Sequence, residues 1–367
     1  MNILVIDEGF IGSLLTALGL RRAGLEVVLF GAVGSRRRHS GSGLTAVTGP
    51  RPDAADFLPT VRRLAEDHRC DVIYPATEPV MLALHRAGAD TAPVFPPLDS
   101  RQATLLGSKA ALSELVASLG VPTPRQVSVG DALEVEAALA RVGLPAVVKA
   151  TFGRGGDGTR IVADAGATRA ALAVLRQAGR NCILQEYVSG PTFLVGGLFR
   201  DGVPLRLYAG EKVVQQPPRT GPAAVIRSTR APGLIEAALP VFQALRWTGL
   251  ASADFVRSPG GEFCFLEVNP RPWGSIAAAA DAGVDLFTPL ATLLADGLPA
   301  PDLGFIEGVE TRVLPLYLMS LRHRLAWRAL GRLTADLGSR QAEPFRDPGL
   351  LAHMTHRLLR VRANWPS

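Results

Sequence analysis

The alternation of apolar and polar positions divides the chain into three stretches with different periods. Asn2–Ile6 is an apolar run, Gly12–Ala23 repeats at helical spacing and Glu26–Phe30 is apolar again, which predicts a β-α-β opening. Asp71–Tyr74 predicts another strand, ending in Pro75-Ala76-Thr77-Glu78 ahead of a helix, so the first hundred residues suit one α/β domain. A helix opens at Ser108-Lys109 and ends near Gly120, where Val121-Pro122-Thr123-Pro124 breaks it. Strands at Gln126–Val129, Pro145–Ala150, Arg160–Val162 and Cys182–Tyr187, with helices at Leu133–Val142 and Ala167–Ala178, predict a second unit. From Phe193 the period is two, with turns at Asp201-Gly202 and Pro259-Gly260-Gly261, and the pattern runs through Glu267 and Asn269 into an Ala-rich helix. That third unit is expected to be mainly antiparallel. Beyond it, Leu318, Leu321, Leu325, Trp327 and Leu330 alternate with arginines, predicting an amphipathic helix. The expected domains are 1–100, 101–190, 191–303 and an Arg-rich helical extension, 304–367.

Composition narrows the class. A chain of 367 residues with 47% hydrophobic content exceeds what one core usually serves, and excludes disordered, collagen-like and disulfide-framework chains. No apolar run approaches the ~20 residues of a membrane span. Met1 runs directly into the first apolar strand without a basic leader, which predicts a cytoplasmic protein. Cys70, Cys182 and Cys264 lie in or beside apolar runs and read as buried thiols. The net charge is +6, yet only three of the 39 basic residues are lysines: Lys109, Lys149 and Lys212. Where Arg serves everywhere else, a compact ammonium suggests a point charge beside phosphate oxygens. A pI near 9.7 raises nucleic-acid binding, but the basic residues are dispersed and form no recognised module, so no nucleic-acid partner is expected.

Three constellations carry chemistry. Gly9-Phe10-Ile11-Gly12 departs from a dinucleotide fingerprint and no acid ends the second strand, so the front domain reads as a Rossmann-like scaffold without NAD. Lys149 runs into a loop containing Gly153, Gly155, Gly156 and Gly158, whose backbone N–H groups can converge on anionic oxygens while the lysine neutralises them; a flexible hairpin tip is the plainer alternative. In the third unit the turn after Ser258 is read as pairing Arg257 with Glu262. Asp254 then faces Phe265 and shares a sheet face with Glu267 and Asn269. An oxygen-only set of that kind selects a hard cation such as magnesium, although two acids and an amide can also be surface polars. Glu78 sits at a strand's C-terminal end, where open sheets gather ligands, although a solvated loop or helix-cap role is the plainer reading from position alone.

Together these motifs resemble the ATP-grasp enzymes of carboxylate-amine ligase type, a family that includes D-alanine:D-alanine ligases, biotin carboxylases and carbamoyl phosphate synthetases. The resemblance covers about residues 1–300. It rests on Ser108-Lys109, Val148-Lys149 before the glycine loop, Leu184-Gln185-Glu186-Tyr187-Val188-Ser189-Gly190, Asp254 and, most specifically, Glu267-Val268-Asn269-Pro270-Arg271. It implies an α/β ATP-grasp fold, with an N-terminal Rossmann-like domain, a central lid, a C-terminal antiparallel α+β subdomain and a helical C-terminal extension. It further implies ATP on Lys109, Lys149 and the glycine loop, with adenine near Gln185, Glu186 and Val188. One or two Mg2+ ions, or Mn2+, would bind Asp254, Glu267 and Asn269. Arg271 would face an acyl phosphate, Lys212 would reach the γ-phosphate or the substrate carboxylate, and Arg219 and Arg227, flanking Pro217-Pro218, would clamp that carboxylate or stay solvated. The implied reaction joins a small-molecule carboxylate to an amine. A regulatory nucleotide binder, a kinase and a carboxylase remain alternatives, and a carrier protein, a peptide and a homodimer remain open as partners. Thr192 stands where the family often has a ribose-binding Glu.

Overall fold

The computed structural model describes residues 1–7, 11–32, 44–88, 92–129, 135–151 and 158–320. It contains three sheets. The first is built from β1 (Asn2–Asp7), α1 (Ile11–Arg22), β2 (Glu26–Ala32), β3 (Thr45–Gly49), α2 (Phe57–Asp67), β4 (Val72–Pro75) and α3 (Glu78–Ala87). Its strands are parallel in the order β3-β2-β1-β4, so the opening predicted from hydrophobic runs is present and both edges of β1 are covered. Two helices, α4 (Ser100–Leu106) and α5 (Lys109–Ser118), lead out of it, and the Ser108 side chain caps α5 by accepting from the Ala111 N–H. Lys109 is thereby fixed on the first turn of a helix.

The second sheet comprises β5 (Gln126–Val129), β6 (Ala146–Ala150), β7 (Thr159–Val162) and β8 (Cys182–Glu186), antiparallel in the order β5-β8-β6-β7, with α6 (Val135–Val142) and α7 (Ala165–Gln177) packed on it. It has a core of its own, including Val148, Ala171, Leu172 and Leu184. The third sheet has six strands in the order β13-β12-β9-β10-β11-β14. These are β9 (Thr192–Arg200), β10 (Val203–Gln215), β11 (Ala223–Ser228), β12 (Gly249–Arg257), β13 (Phe263–Asn269) and β14 (Glu310–Arg312), with α8 (Leu234–Leu245), α9 (Ala277–Asp281), α10 (Phe287–Leu294) and α11 (Leu314–Ser320). All its strand pairs are antiparallel.

The first and third sheets share one core that runs from Val5 and Leu29 to Phe199, Phe242 and Trp247. Packing is close at the join: a Cβ on Gly19 of α1 would lie 2.4 Å from the Phe287 ring of α10. One feature departs from the sequence reading. The stretch expected to be a helical extension begins with β14, which pairs with β11 through Glu310↔Arg227 and Arg312↔Val225. The helix expected across Leu321, Leu325, Trp327 and Leu330 lies outside the described residues. The three cysteines are buried and free, as their apolar flanks imply. Among the described residues no helix is long and apolar enough to cross a membrane.

Candidate active site

The site is assembled on one face of the six-stranded sheet by a register the sequence reading missed. Arg257 pairs with Phe263, not Glu262, and Phe255 pairs with Phe265; a bulge then makes Leu266 the extra residue, so that Asp254 lies directly opposite Glu267 and Ser252 opposite Asn269. The hairpin loop is one residue longer than read and the bulge adds another. The two shifts sum to an even number, so Asp254, Glu267 and Asn269 still share a face, and the two carboxylates are direct cross-strand neighbours where diagonal ones were expected.

Each of the three oxygen donors is held by a cationic side chain. Lys212 on β10 donates to Asp254 Oδ2 at 2.6 Å, and both side chains are largely buried. Lys109 Nζ meets Glu267 Oε2 at 3.4 Å. Arg271 Nη2 donates to Asn269 Oδ1 at 2.8 Å, its Nη1 to the Pro272 carbonyl at 3.1 Å and its Nε to Glu78 Oε2 at 2.8 Å. Lys149, half-buried on β6 of the second sheet, joins the same field. Its pKa is lowered to about 8, chiefly by burial and also by Lys109 and Lys212, against the opposing pull of Glu267 and Asp254. Burial alone would raise Glu267, but Lys109, Lys149, Lys212 and Arg271 together hold its carboxyl down to about 2. Burial pushes the Asp254 carboxyl up, against the pull of Lys212 and with a further push from Glu267.

Asp254 Oδ1 is buried and without a partner, an orphaned acceptor of the sort a cation would satisfy. Two carboxylates and an amide oxygen form a hard donor set, so these residues fit a magnesium ion. Among the described residues no group of three or more His, Cys, Asp or Glu side chains could hold a metal, and the third ligand here would be the amide of Asn269.

The other expected residues fall into distinct places. Gly153, Gly155 and Gly156 lie outside the described residues, whereas Gly158 has φ +77 and closes the loop by accepting from the Ala150 N–H at 3.1 Å. Gln185 is buried on β8 and donates to Gln126 Oε1 at 3.2 Å. The Glu186 carboxylate accepts from Arg125 Nε at 2.9 Å, which lowers its pKa, and its backbone N–H donates to the Arg125 carbonyl at 2.8 Å. Val188 is half-buried, two residues beyond β8. Arg219 is exposed at φ +67 in the turn between β10 and β11. Arg227 is exposed, pairs with Glu310 and alternates onto the opposite strand face from Lys212, which removes it from the cluster and supports its solvated reading. Glu78 is not a solvated loop residue: its carboxylate is the partner of Arg271. The sequence reading overlooked Trp273, whose ring covers Gly196 so closely that a Cβ there would lie 2.9 Å from it. The Gly196-Gly197 pair inside a strand was the available signal.

Residues 108–299 match the family described as "Carbamoyl-phosphate synthase L chain, ATP binding domain". A carbamoyl phosphate synthase large chain from Methanoregula boonei is 26% identical over 204 residues, 50% of this chain and 18% of that one. A D-alanine--D-alanine ligase from Ectopseudomonas mendocina is 26% identical over 200 residues, 50% of this chain and 63% of that one. The chain thus spans less than two thirds of either relative. Among solved structures, N5-carboxyaminoimidazole synthetase from Staphylococcus aureus complexed with ADP superposes with a TM-score of 0.70 over 88% of this chain and 84% of that one, at 16% identity, a likeness of fold.

Proposed function

Because the chain belongs to the family of the carbamoyl-phosphate synthase L chain ATP-binding domain, within the ATP-grasp superfamily, we propose that it is an ATP-dependent ligase joining a carboxylate to an amine. The observation that carries this reading is the convergence of all three lysines and Arg271 on Asp254, Glu267 and Asn269. No simple structural salt bridge needs four cations, whereas a triphosphate and a carboxylate substrate do.

A carboxylate is a poor acyl donor because oxide would have to leave. Transfer of the γ-phosphoryl group to it gives an acyl phosphate, whose carbonyl carbon the amine attacks; the C–N bond forms, the C–O bond to phosphate breaks and phosphate departs with the electron pair. Lys109 and Lys149 would hold the phosphates from opposite sides, one on a helix and one on the second sheet. Lys212 would leave Asp254 for the γ-phosphate or the substrate carboxylate, and Arg271 would stabilise the oxyanion as the tetrahedral centre develops. Asp254, Glu267 and Asn269 would hold magnesium, which supplies charge neutralisation when bound. The exposed Arg219 supports a role at the cleft edge toward an anionic substrate.

A phosphate-release screen of carboxylate and amine pairs, with bicarbonate among the acids, tests the reading. Release that requires both an acid and an amine supports it. Release with bicarbonate alone would move it to a carboxylase, and nucleotide binding without release from any pair would replace it with a binding role.

A further inference from the structure

Arg271 is 6% exposed and stands between Pro270 and Pro272, so both its backbone and its side chain are constrained. A buried guanidinium is costly unless its N–H groups are taken up. Three acceptors on three different nitrogens do this: Glu78 on Nε, the Pro272 carbonyl on Nη1 and Asn269 on Nη2. Hydrogen bonds at three corners of a planar group fix its plane as well as its position. Two of these acceptors are within two residues of Arg271. The third comes from 193 residues away, in the other α/β unit.

Glu78 is itself firmly placed. It is the first residue of α3, preceded by the fully buried Thr77 in extended conformation and followed by Pro79, and the positive end of the helix dipole favours its carboxylate. It follows β4 directly, at the carboxyl end of the parallel sheet, the edge at which open α/β sheets gather ligands. Yet its Oε2 is engaged by Arg271 at 2.8 Å with the side chain only 20% exposed.

We propose that Glu78 is a positioning residue, through which the N-terminal sheet fixes the plane of Arg271 for the acyl-phosphate step. This rests on the ligase reading for the role of Arg271. The shared core of the first and third sheets keeps the distance constant, so the contact acts as a strut between two elements that pack as one. Without it the guanidinium loses the hydrogen bond that fixes its Nε corner and ties it to the N-terminal sheet, and its plane is less firmly set. A misplacement on the order of 1 Å costs up to about 10²-fold in rate.

The test is a double-mutant cycle of Glu78→Ala and Arg271→Lys, with Glu78→Gln as the conservative variant because its amide oxygen still accepts from Nε–H. Each protein is assayed for kcat and for the KM of MgATP, for affinity toward MgADP with fluoroaluminate, and for melting temperature. Glu78→Ala is expected to lower kcat by about 10- to 100-fold with the KM for MgATP within about twofold, Glu78→Gln to recover much of the loss, and Glu78→Ala to add nothing in the Arg271→Lys background. Multiplying losses in the double variant would overturn the proposal, as would an unchanged kcat beside a lowered melting temperature, which marks a merely structural contact. If Glu78→Ala does not fold, Glu78→Leu, of similar bulk and without an acceptor for Nε–H, carries the same cycle. If the wild type turns over no acid and amine pair, the ligase reading falls separately, and fluoroaluminate affinity decides: non-additive losses sustain the strut, while additive or absent losses refute it.

Discussion

The six-stranded sheet and the four-stranded sheet both contribute to one charged cluster, and they do so in opposite ways. At the six-stranded sheet each site carboxylate has a lysine partner, Asp254 with Lys212 of β10 at 2.6 Å and Glu267 with Lys109 of α5 at 3.4 Å, over a core shared with the N-terminal unit. On the four-stranded sheet Lys149 has no ion pair among the described residues, its pKa is lowered to about 8, and the core beneath it is separate and smaller. A paired charge contributes to the stability of the free protein; a half-buried one without an ion pair weakens it, and an incoming anion relieves it. Stability and function are therefore coupled on one sheet and opposed on the other.

Substitutions separate the two cases. The largest effect is expected at Glu267→Gln, which keeps the shape and removes the charge that four cations share; single-turnover rates should fall on the order of 10³-fold, and a rate within tenfold of wild type would remove Glu267 from the machinery. Lys212→Met leaves Asp254 buried and uncompensated, so the free protein should lose roughly 3 kcal/mol or more, read by denaturant unfolding, and regain part of it in millimolar Mg2+ or when Asp254→Asn is added. An undiminished stability would mean that the Lys212–Asp254 pair is not the buried contact described.

The pH dependences are smaller, and in both stability rises with pH, because the charge on Glu267 stabilises the fold whereas the charge on Lys149 weakens it. The folded pKa of Glu267, near 2 against an ordinary 4.5, lies below that of the unfolded chain, so its share of stability is present above about pH 4.5 and is lost as pH falls toward 2. Lys149 has a folded pKa near 8 against an ordinary 10.5, so the folded protein gains stability as pH rises from 8 to 10.5. Nucleotide phosphates favour its protonated form. Affinity for MgATP should therefore hold below about pH 8 and then fall by up to about tenfold per unit, with proton uptake on binding; calorimetry in buffers of different ionisation enthalpy reads that proton directly.

How much of this was legible follows from the range over which each signal acts. The three lysines were conspicuous in an arginine-rich chain, and all three converge on the site. The shared face of Asp254, Glu267 and Asn269 followed from the period of two, although the register did not, because neither the longer hairpin loop nor the bulge at Leu266 has a marker in the local sequence. Strand β14 was hidden among arginines, since three residues at a sheet edge are too few to show a period. The contact between Glu78 and Arg271 joins residues far apart in the chain, and no local pattern encodes such a pairing. Proximity to Pro217-Pro218 left Arg227 open as a clamp or a solvated residue; strand alternation turns it to the face away from Lys212.

The central claim is that Lys149, on a separately cored sheet, closes a nucleotide site whose other side is the six-stranded sheet. Titration of MgATP into wild type and Lys149→Ala at pH 7.5, with the melting temperature of each free protein, tests it most directly. The account predicts binding by the wild type and a loss on the order of 10²-fold in the variant, whose free melting temperature is unchanged or raised. Equal affinity in the two proteins would contradict it.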